Sequence, residues 1–208
     1  GEEGTWHEWL GSPTLTPGIE ATHLFFDASE SDIGTDGVSV IGTATSTDGF
    51  TWSISDSPAL EPTHPHEGFH IADPFVIYDD ESQLWRMYYS AHDGTTWTIG
   101  HATSVDLETW NSDDTPTLTH ALGAAAPTVH RQLGRWHMWF SAWDGTQWSL
   151  AYATSPDGTD WTSVNAGLDI VASLEQSSPP RVALHGSGSN TFQVRGESTG
   201  VLPEPLVP

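Results

Sequence analysis

Apolar and polar positions alternate with period two in Thr96-Trp-Thr-Ile-Gly-His101 and again in Gln147-Trp-Ser-Leu-Ala-Tyr152, the pattern of a strand with one face buried. Similar runs of four to eight residues, rich in Val, Ile, Tyr, Trp and Thr, recur along the chain. Asp-Gly, Gly-Arg and Pro-Asp-Gly steps separate them, and these residues supply the backbone angles that hairpin turns require. No segment sustains the 3.6-residue period of a helix, so the chain reads as all-β.

The strand pattern is itself repeated. Trp85-Arg-Met-Tyr-Tyr-Ser-Ala-His-Asp-Gly94, followed by Ala102-Thr-Ser-Val-Asp106 and Trp110, returns 51 residues later as Trp136-His-Met-Trp-Phe-Ser-Ala-Trp-Asp-Gly145, Ala153-Thr-Ser-Pro-Asp157 and Trp161. An earlier copy runs from His23-Leu-Phe-Phe-Asp-Ala-Ser29 to Ala44-Thr-Ser-Thr-Asp48 and Trp52. A Pro-x-Val step precedes the units at Pro74, Pro127 and Pro180, at intervals of 53 residues. Four short antiparallel strands per block of this length describe a β-propeller blade. A sandwich with regular turns is the rival, but it has no reason to repeat one block three times. The predicted domain is a single propeller over residues 1–208, with blades at about 17–60, 61–118, 119–170 and 171–208. Residues 1–16, whose Thr5-Trp-His-Glu-Trp matches the Thr109-Trp tail of a unit, are expected to close the ring as an outer strand. The ring is either a small one of four blades or part of a five-bladed protein.

The Ala-Thr-Ser-x-Asp box and the Trp that follows it belong to every unit. They are expected to cap the turn from third to fourth strand and to plug the gap between blades. A motif present in every blade does not mark one site.

Charge narrows the partners. The chain of 208 residues carries 28 Asp and Glu against five Arg and no Lys, a net charge of −23. Binding phosphate backbones or anionic lipid depends on Lys and Arg, so nucleic-acid and membrane-surface roles rank last, no nucleic-acid partner is expected, and no apolar stretch is long enough to insert in a bilayer. With no Cys, disulfides, thiolate metal sites and thiol catalysis are excluded as well. Acidity without lysine suits an extracellular or salty medium, so a secreted or cell-surface location is expected, with any signal peptide lying outside this sequence.

The repeat resembles the units of the five-bladed propeller glycosidases, the arabinanase, β-xylosidase, invertase and levansucrase group, in which Asp-Pro-x-Val opens a blade and Ala-Thr-Ser-x-Asp-Gly-x-x-Trp closes it. The resemblance spans roughly residues 20–185. It implies a central funnel into which the first strands carry carboxylates, for hydrolysis of a furanoside or xyloside. Such chemistry needs two carboxyl groups about 5–9.5 Å apart, one ionised and one protonated. Asp73, in Ile71-Ala-Asp-Pro-Phe-Val76, matches the Asp-Pro motif. Unit three has Ala126 in that slot and unit four Pro179, with Ser178 where the acid Glu is implied; Glu175, three residues early, is the alternative catalytic candidate. Glu20 and Asp27 are the remaining carboxylates of the first unit. Loss of these acids would leave a propeller that binds carbohydrate, or serves structurally, without cleaving it.

Histidines form a second constellation. Thr63-His-Pro-His-Glu-Gly-Phe-His70 gathers His64, His66, Glu67 and His70. Imidazole and carboxylate hold divalent cations, so His64 and His66 are candidate metal ligands, a cation such as calcium being the one cofactor considered. Polar loop contacts and hydrogen bonds to sugar hydroxyls are the competing reading. His70, His92 and Trp143 are the candidate glycan contacts, Trp143 being expected at an exposed turn where its ring would stack on a sugar.

Overall fold

A computed structural model describes residues 5–30 and 38–164 together with two strands of the C-terminal segment. Residues 5–164 contain three four-stranded antiparallel sheets, each built from consecutive strands. The first comprises β1 (Trp9–Pro17), β2 (Thr22–Ser29), β3 (Val40–Ser46) and β4 (Ser53–Ile54). The second comprises β5 (His70–Asp79), β6 (Leu84–His92), β7 (Trp97–Ser104) and β8 (Asn111–Ser112), and the third β9 (Ala124–Gln132), β10 (Arg135–Trp143), β11 (Trp148–Ser155) and β12 (Thr162–Ser163). These are propeller blades. Residues 165–208 make a separate unit, of which β13 (Val182–Ser187) and β14 (Thr191–Gly196) form an antiparallel hairpin pairing Val182 with Gly196. Glu175, Ser178 and Pro179 lie outside the described residues.

Alternation along each strand explains why the core lies between blades rather than within one. On β6, Met87, Tyr89 and Ala91 point to one face and pack with Phe25, Ile41 and Leu60 of the first blade. Tyr88, between them, points to the other face and packs with Trp136, Met138 and Phe140 of the third. Successive side chains of a strand face opposite ways, so a middle blade buries both faces. A second tie joins these blades at the far end of the strands: buried Asp79 accepts from Arg86 and Arg131, and both guanidinium groups lie over the Trp136 ring at 5.2 and 5.4 Å.

The repeated boxes behave as expected of caps. Ser46, Ser104 and Ser155 each donate to the Asp two residues on, at 3.0, 3.0 and 2.9 Å. Each Asp accepts backbone N–H groups two and three residues beyond itself. Trp110 and Trp161 then cross to the preceding blade, meeting Phe25 and Tyr88 edge-on.

The N-terminal expectation is corrected. Residues 9–17 do not close a distant blade; β1 pairs with β2 and is the first strand of the first sheet. Ser12-Pro13 is therefore the counterpart of Asp73-Pro74 and Ala126-Pro127. Its spacing of 61 residues from Pro74, rather than 53, reflects the longer connection after Ser29.

Candidate functional site

The first strands β1, β5 and β9 lie side by side, β5 in contact with both others. Each carries the same irregularity. The register slips between Gly11 and Thr14 on β1, between Ala72 and Phe75 on β5, and on β9 opposite Trp139 and Ser141. The residue before the proline at each slip, Ser12, Asp73 or Ala126, has φ of +41, +50 or +52°. A side chain in this left-handed region costs on the order of 1 kcal/mol. The proline has no N–H to offer the ladder, so a bulge forms there and re-aims the preceding side chain. Of the three bulges, only the second presents a carboxylate.

Asp73 is held from both sides. The Ser12 hydroxyl donates to Oδ1 at 2.8 Å and the Ser90 hydroxyl to Oδ2 at 2.7 Å. Ser90 in turn accepts the Ala126 N–H at 2.7 Å, so the bulge of the third blade is tied to the carboxylate of the second. The Asp73 N–H donates to Asp27 Oδ1 at 3.3 Å. Asp27 occupies in the first blade the place that Ser90 and Ser141 hold in the others, opposite the slip. It is 3 % exposed. Burial pushes its carboxyl above the usual carboxylate range, against the Ser12 hydroxyl and the Asp73 N–H, with the neighbouring Asp73 charge adding to the rise. Room for it exists because residue 11 is Gly; a Cβ there would stand 2.6 Å from Asp27 Oδ2. Two carboxyl groups thus adjoin at the bulge, one buried and one half-buried.

At the start of β5, three residues before Asp73, His70 pairs across the ladder with His92. Their rings stack at 6.0 Å, and Trp97 lies 4.7 Å from His92 and 6.4 Å from His70. Ser39 Oγ donates to the Ile71 carbonyl at 3.0 Å and lies 3.3 Å from His70 Nδ1. The hydroxyl has one proton, already given, so Nδ1–H of His70 is the donor and its Nε2 is an acceptor. His92 Nδ1 accepts the Gly94 N–H at 3.2 Å, which leaves its Nε2 as a donor when the ring is neutral. Burial, reinforced by His92, lowers the pKa of His70 and favours its neutral form. Together they offer one acceptor and one donor, a match for a sugar hydroxyl.

Trp143 departs from expectation. It is half-buried rather than exposed, because it pairs with Trp148 across the hairpin with rings 5.4 Å apart. Trp9, Trp148 and Phe69, 47, 45 and 55 % exposed, are open aromatics near these strand ends.

The metal expectation at His64 and His66 does not match the geometry. Pro65–Glu67 forms a short 3-10 turn that turns Glu67 inward, with Oε1 3.9 Å from His66 Nε2. Glu67 is fully buried and accepts the Thr63 and His64 N–H groups at 2.8 and 2.9 Å and the Tyr89 hydroxyl. His64 instead faces Asp114 at 3.6 Å. Among the described residues, no group of three or more His, Asp or Glu side chains converges as a cation site.

Of the residues expected from the sequence, the structure places Asp73 and His70 on β5 and His92 opposite His70 on β6; Ser12 and Ser90 were not among them, and the Ser12-Pro13 step was the available signal.

No family model matches the chain, and no curated protein matches its sequence. Solved structures do match. A glycosyl hydrolase from Bacteroides ovatus is 22 % identical, with a TM-score of 0.62 over 74 % of this chain and 48 % of that one. Fructan 1-exohydrolase IIa from Cichorium intybus is 18 % identical, with a TM-score of 0.66 over 76 % and 32 %. A β-1,2-mannobiose phosphorylase from Listeria innocua is 13 % identical, with a TM-score of 0.60 over 74 % and 58 %. The described blades are similar in fold to part of the β-propellers of these glycoside hydrolase and phosphorylase structures. The chain spans about half the length of the solved structures that it matches.

Proposed function

We propose that the protein acts on a glycan at the funnel mouth, hydrolysing a furanoside or xyloside linkage with Asp73 as the funnel carboxylate. The observation that carries the reading is the bulge at Asp73-Pro74, where two serine hydroxyls from two strands fix a carboxylate beside the buried carboxyl of Asp27. Glycoside cleavage needs a placed carboxylate acting as base or nucleophile and a second acid that protonates the leaving oxygen. Asp73 takes the first role. Asp27 is a positioning residue: it holds the bulge N–H and is too buried to touch substrate. His70 and His92 receive the sugar hydroxyls, and Trp97 and Trp148 offer ring faces. An extracellular glycan is the expected substrate, consistent with a net charge of −23.

The relatives' names set the assay panel: chromogenic arabinofuranosides and xylosides, a fructan, and a β-1,2-mannoside with and without phosphate. Turnover of at least one substrate by the wild type is expected, with kcat lowered about 10²–10⁴-fold in Asp73→Asn. Equal turnover by both proteins would remove Asp73 from the chemistry, and silence of the wild type on every substrate would sink the hydrolase reading.

A specific observation favours a second reading, a propeller that binds glycan without cleaving it. The slots flanking Asp73 hold Ser12 and Ala126, so neither neighbouring bulge supplies the second acid. Glycan binding by the wild type, retained in Asp73→Asn and unaccompanied by hydrolysis, is the result this reading expects.

A further inference from the structure

The hairpin tips of the second and third blades carry an apolar strip. At the same distance before Pro74 and Pro127 stand Phe69 and Leu122, each lying on the glycine of its own blade's hairpin. A Cβ at Gly94 would stand 2.8 Å from the Phe69 ring, and one at Gly145 would stand 3.3 Å from Leu122 Cδ1. These two side chains are 55 and 54 % exposed. Between them come Trp97 and Trp148, which open β7 and β11. Both adjoin Gly123, where a Cβ would stand 3.8 Å from Trp97 Cβ and 3.7 Å from Trp148 Cη2, so the glycine lets the two tryptophans approach across the junction of the blades. On the second blade the strip runs on through His92, 4.7 Å from Trp97, and His70, 6.0 Å from His92, to Phe69, 6.5 Å from His70.

The repeat shows which of these rings the fold requires. Positions that build the junctions keep their character from blade to blade, as Phe26, Tyr89 and Phe140 do, all of them buried. The tips do not. Trp9 faces Ser29 across the first ladder as His70 faces His92 across the second, and Ser39 stands where the other blades have Trp97 and Trp148. Ser29 and Ser39 are buried, so serine suffices for blade packing at those two places, and the rings there on the second and third blades are not imposed by the fold. Exposed apolar surface of this kind, contiguous and rimmed by polar groups, marks a binding face.

Charge narrows what binds. Arg86, Arg131 and Arg135, the arginines of these blades, sit at the opposite ends of β6, β9 and β10. The tips instead bear Asp93 and Asp144, whose Oδ1 atoms hold the turn amides; their charge repels anions. Ring faces suit the C–H faces of sugars, and the two imidazoles supply an acceptor and a donor for a hydroxyl between them. One sugar on His70 and His92 would leave Phe69, beyond His70, and Trp148, beyond Trp97, uncovered.

We propose that the glycan bound here is a chain of several neutral sugars, laid along the strip from Phe69 to Leu122 across two blades, rather than a single terminal unit. The inference rests on the glycan reading proposed above and extends it from one sugar to several.

The test is calorimetric titration of the full chain carrying Asp73→Asn with neutral xylo-, arabino-, fructo- and β-1,2-manno-oligosaccharides of one to four units. In at least one series affinity should rise about tenfold or more from one unit to three, as further rings each gain a sugar. Trp148→Ala should cut that rise about threefold or more, weakening the longer members more than the monosaccharide. Phe69→Ala and Leu122→Ala, at the exposed ends of the strip, should weaken the longest members in the same way and serve if Trp148→Ala loses its folded spectrum. Saturable binding of equal affinity at every length, or equal losses at every length in the variants, overturns the proposal and leaves the glycan reading standing. Absence of saturable binding by every member removes that reading and this inference together. Tighter binding of galacturonate oligomers than of the neutral ones also overturns it, as does dimerisation in sedimentation that Trp148→Ala abolishes, which would assign the strip to a second copy.

Discussion

Ser90 shows how much one small side chain carries at the first-strand bulges. It is fully buried, donates to Asp73 Oδ2 and accepts the Ala126 N–H, so it sets both the carboxylate and the next blade's bulge. Ser90→Ala removes two hydrogen bonds and leaves polar groups to find water. A destabilisation of about 1–3 kcal/mol is expected, read as a lower urea midpoint at constant slope. If the funnel is catalytic, kcat should fall with little change in KM, because the reacting carboxylate loses its aim rather than the sugar its platform. A KM effect alone would place Ser90 in substrate binding instead. Residues of this kind are poorly legible in sequence. Asp73 stands out through its Asp-Pro step, but Ser90 lies in Tyr-Tyr-Ser-Ala, where Ser141 repeats it in Trp-Phe-Ser-Ala, and a repeated serine points to architecture. Asp27 was visible as an acid, yet its burial beside Gly11 depends on a pairing that only the fold reveals.

At the scale of the element, the Ser-x-Asp turn is the most regular unit of the chain. The serine hydroxyl accepts N–H groups at positions two and three beyond it, and the Asp accepts two more. Ser104→Ala deletes the acceptor for the Asp106 and Leu107 amides. A loss of about 0.5–2 kcal/mol is expected, comparable to removing a helix N-cap, and differential scanning calorimetry would show it; an unchanged melting temperature would mean that the Asp alone holds the turn. These elements were readable in advance because the box recurs with fixed spacing and its chemistry is local. The first strand of the first blade was not. Its Trp-Leu-Gly-Ser-Pro13 run resembles a blade tail as well as a blade head, and the longer connection after Ser29 shifts it out of the 53-residue spacing. The His64–His70 segment misleads for a related reason: histidine spacing suggests ligation, but the proline starts a tight turn that spends Glu67 on backbone amides.

The whole molecule is strongly acidic and holds several half-buried imidazoles, whose shifted pKa values set a dependence of stability on pH. Burial lowers the pKa of His23, His66, His70 and His137 from the ordinary 6.5. The unfolded chain therefore binds more protons just below that value, and stability falls as pH drops through about 6.5. Asp48 and Asp93, held at about 2 by turn hydrogen bonds against an ordinary 3.8, contribute stability that is present above 3.8 and is lost as pH falls toward 2. Asp27, raised by burial, runs the other way: its contribution is present at low pH and fades as pH rises through its folded value. With four imidazoles and two turn carboxylates against one buried acid, the melting temperature should decline on acidification in two stages, below about 6.5 and again below about 4. A flat profile between pH 7 and 5 would contradict the burial of these histidines. The propeller architecture was legible from the repeat because a blade buries its faces only against like neighbours. The site at the bulges was less so, since three first strands share one bulge and the side chain before the proline distinguishes them. The central claim concerns that one side chain, and a crystal structure of the Asp73→Asn protein soaked with the glycoside it binds most tightly tests it most directly. A sugar ring against His70 and His92 with its glycosidic oxygen toward residue 73 is expected; a sugar bound only elsewhere, with the bulge at residue 73 untouched, would contradict that role for Asp73.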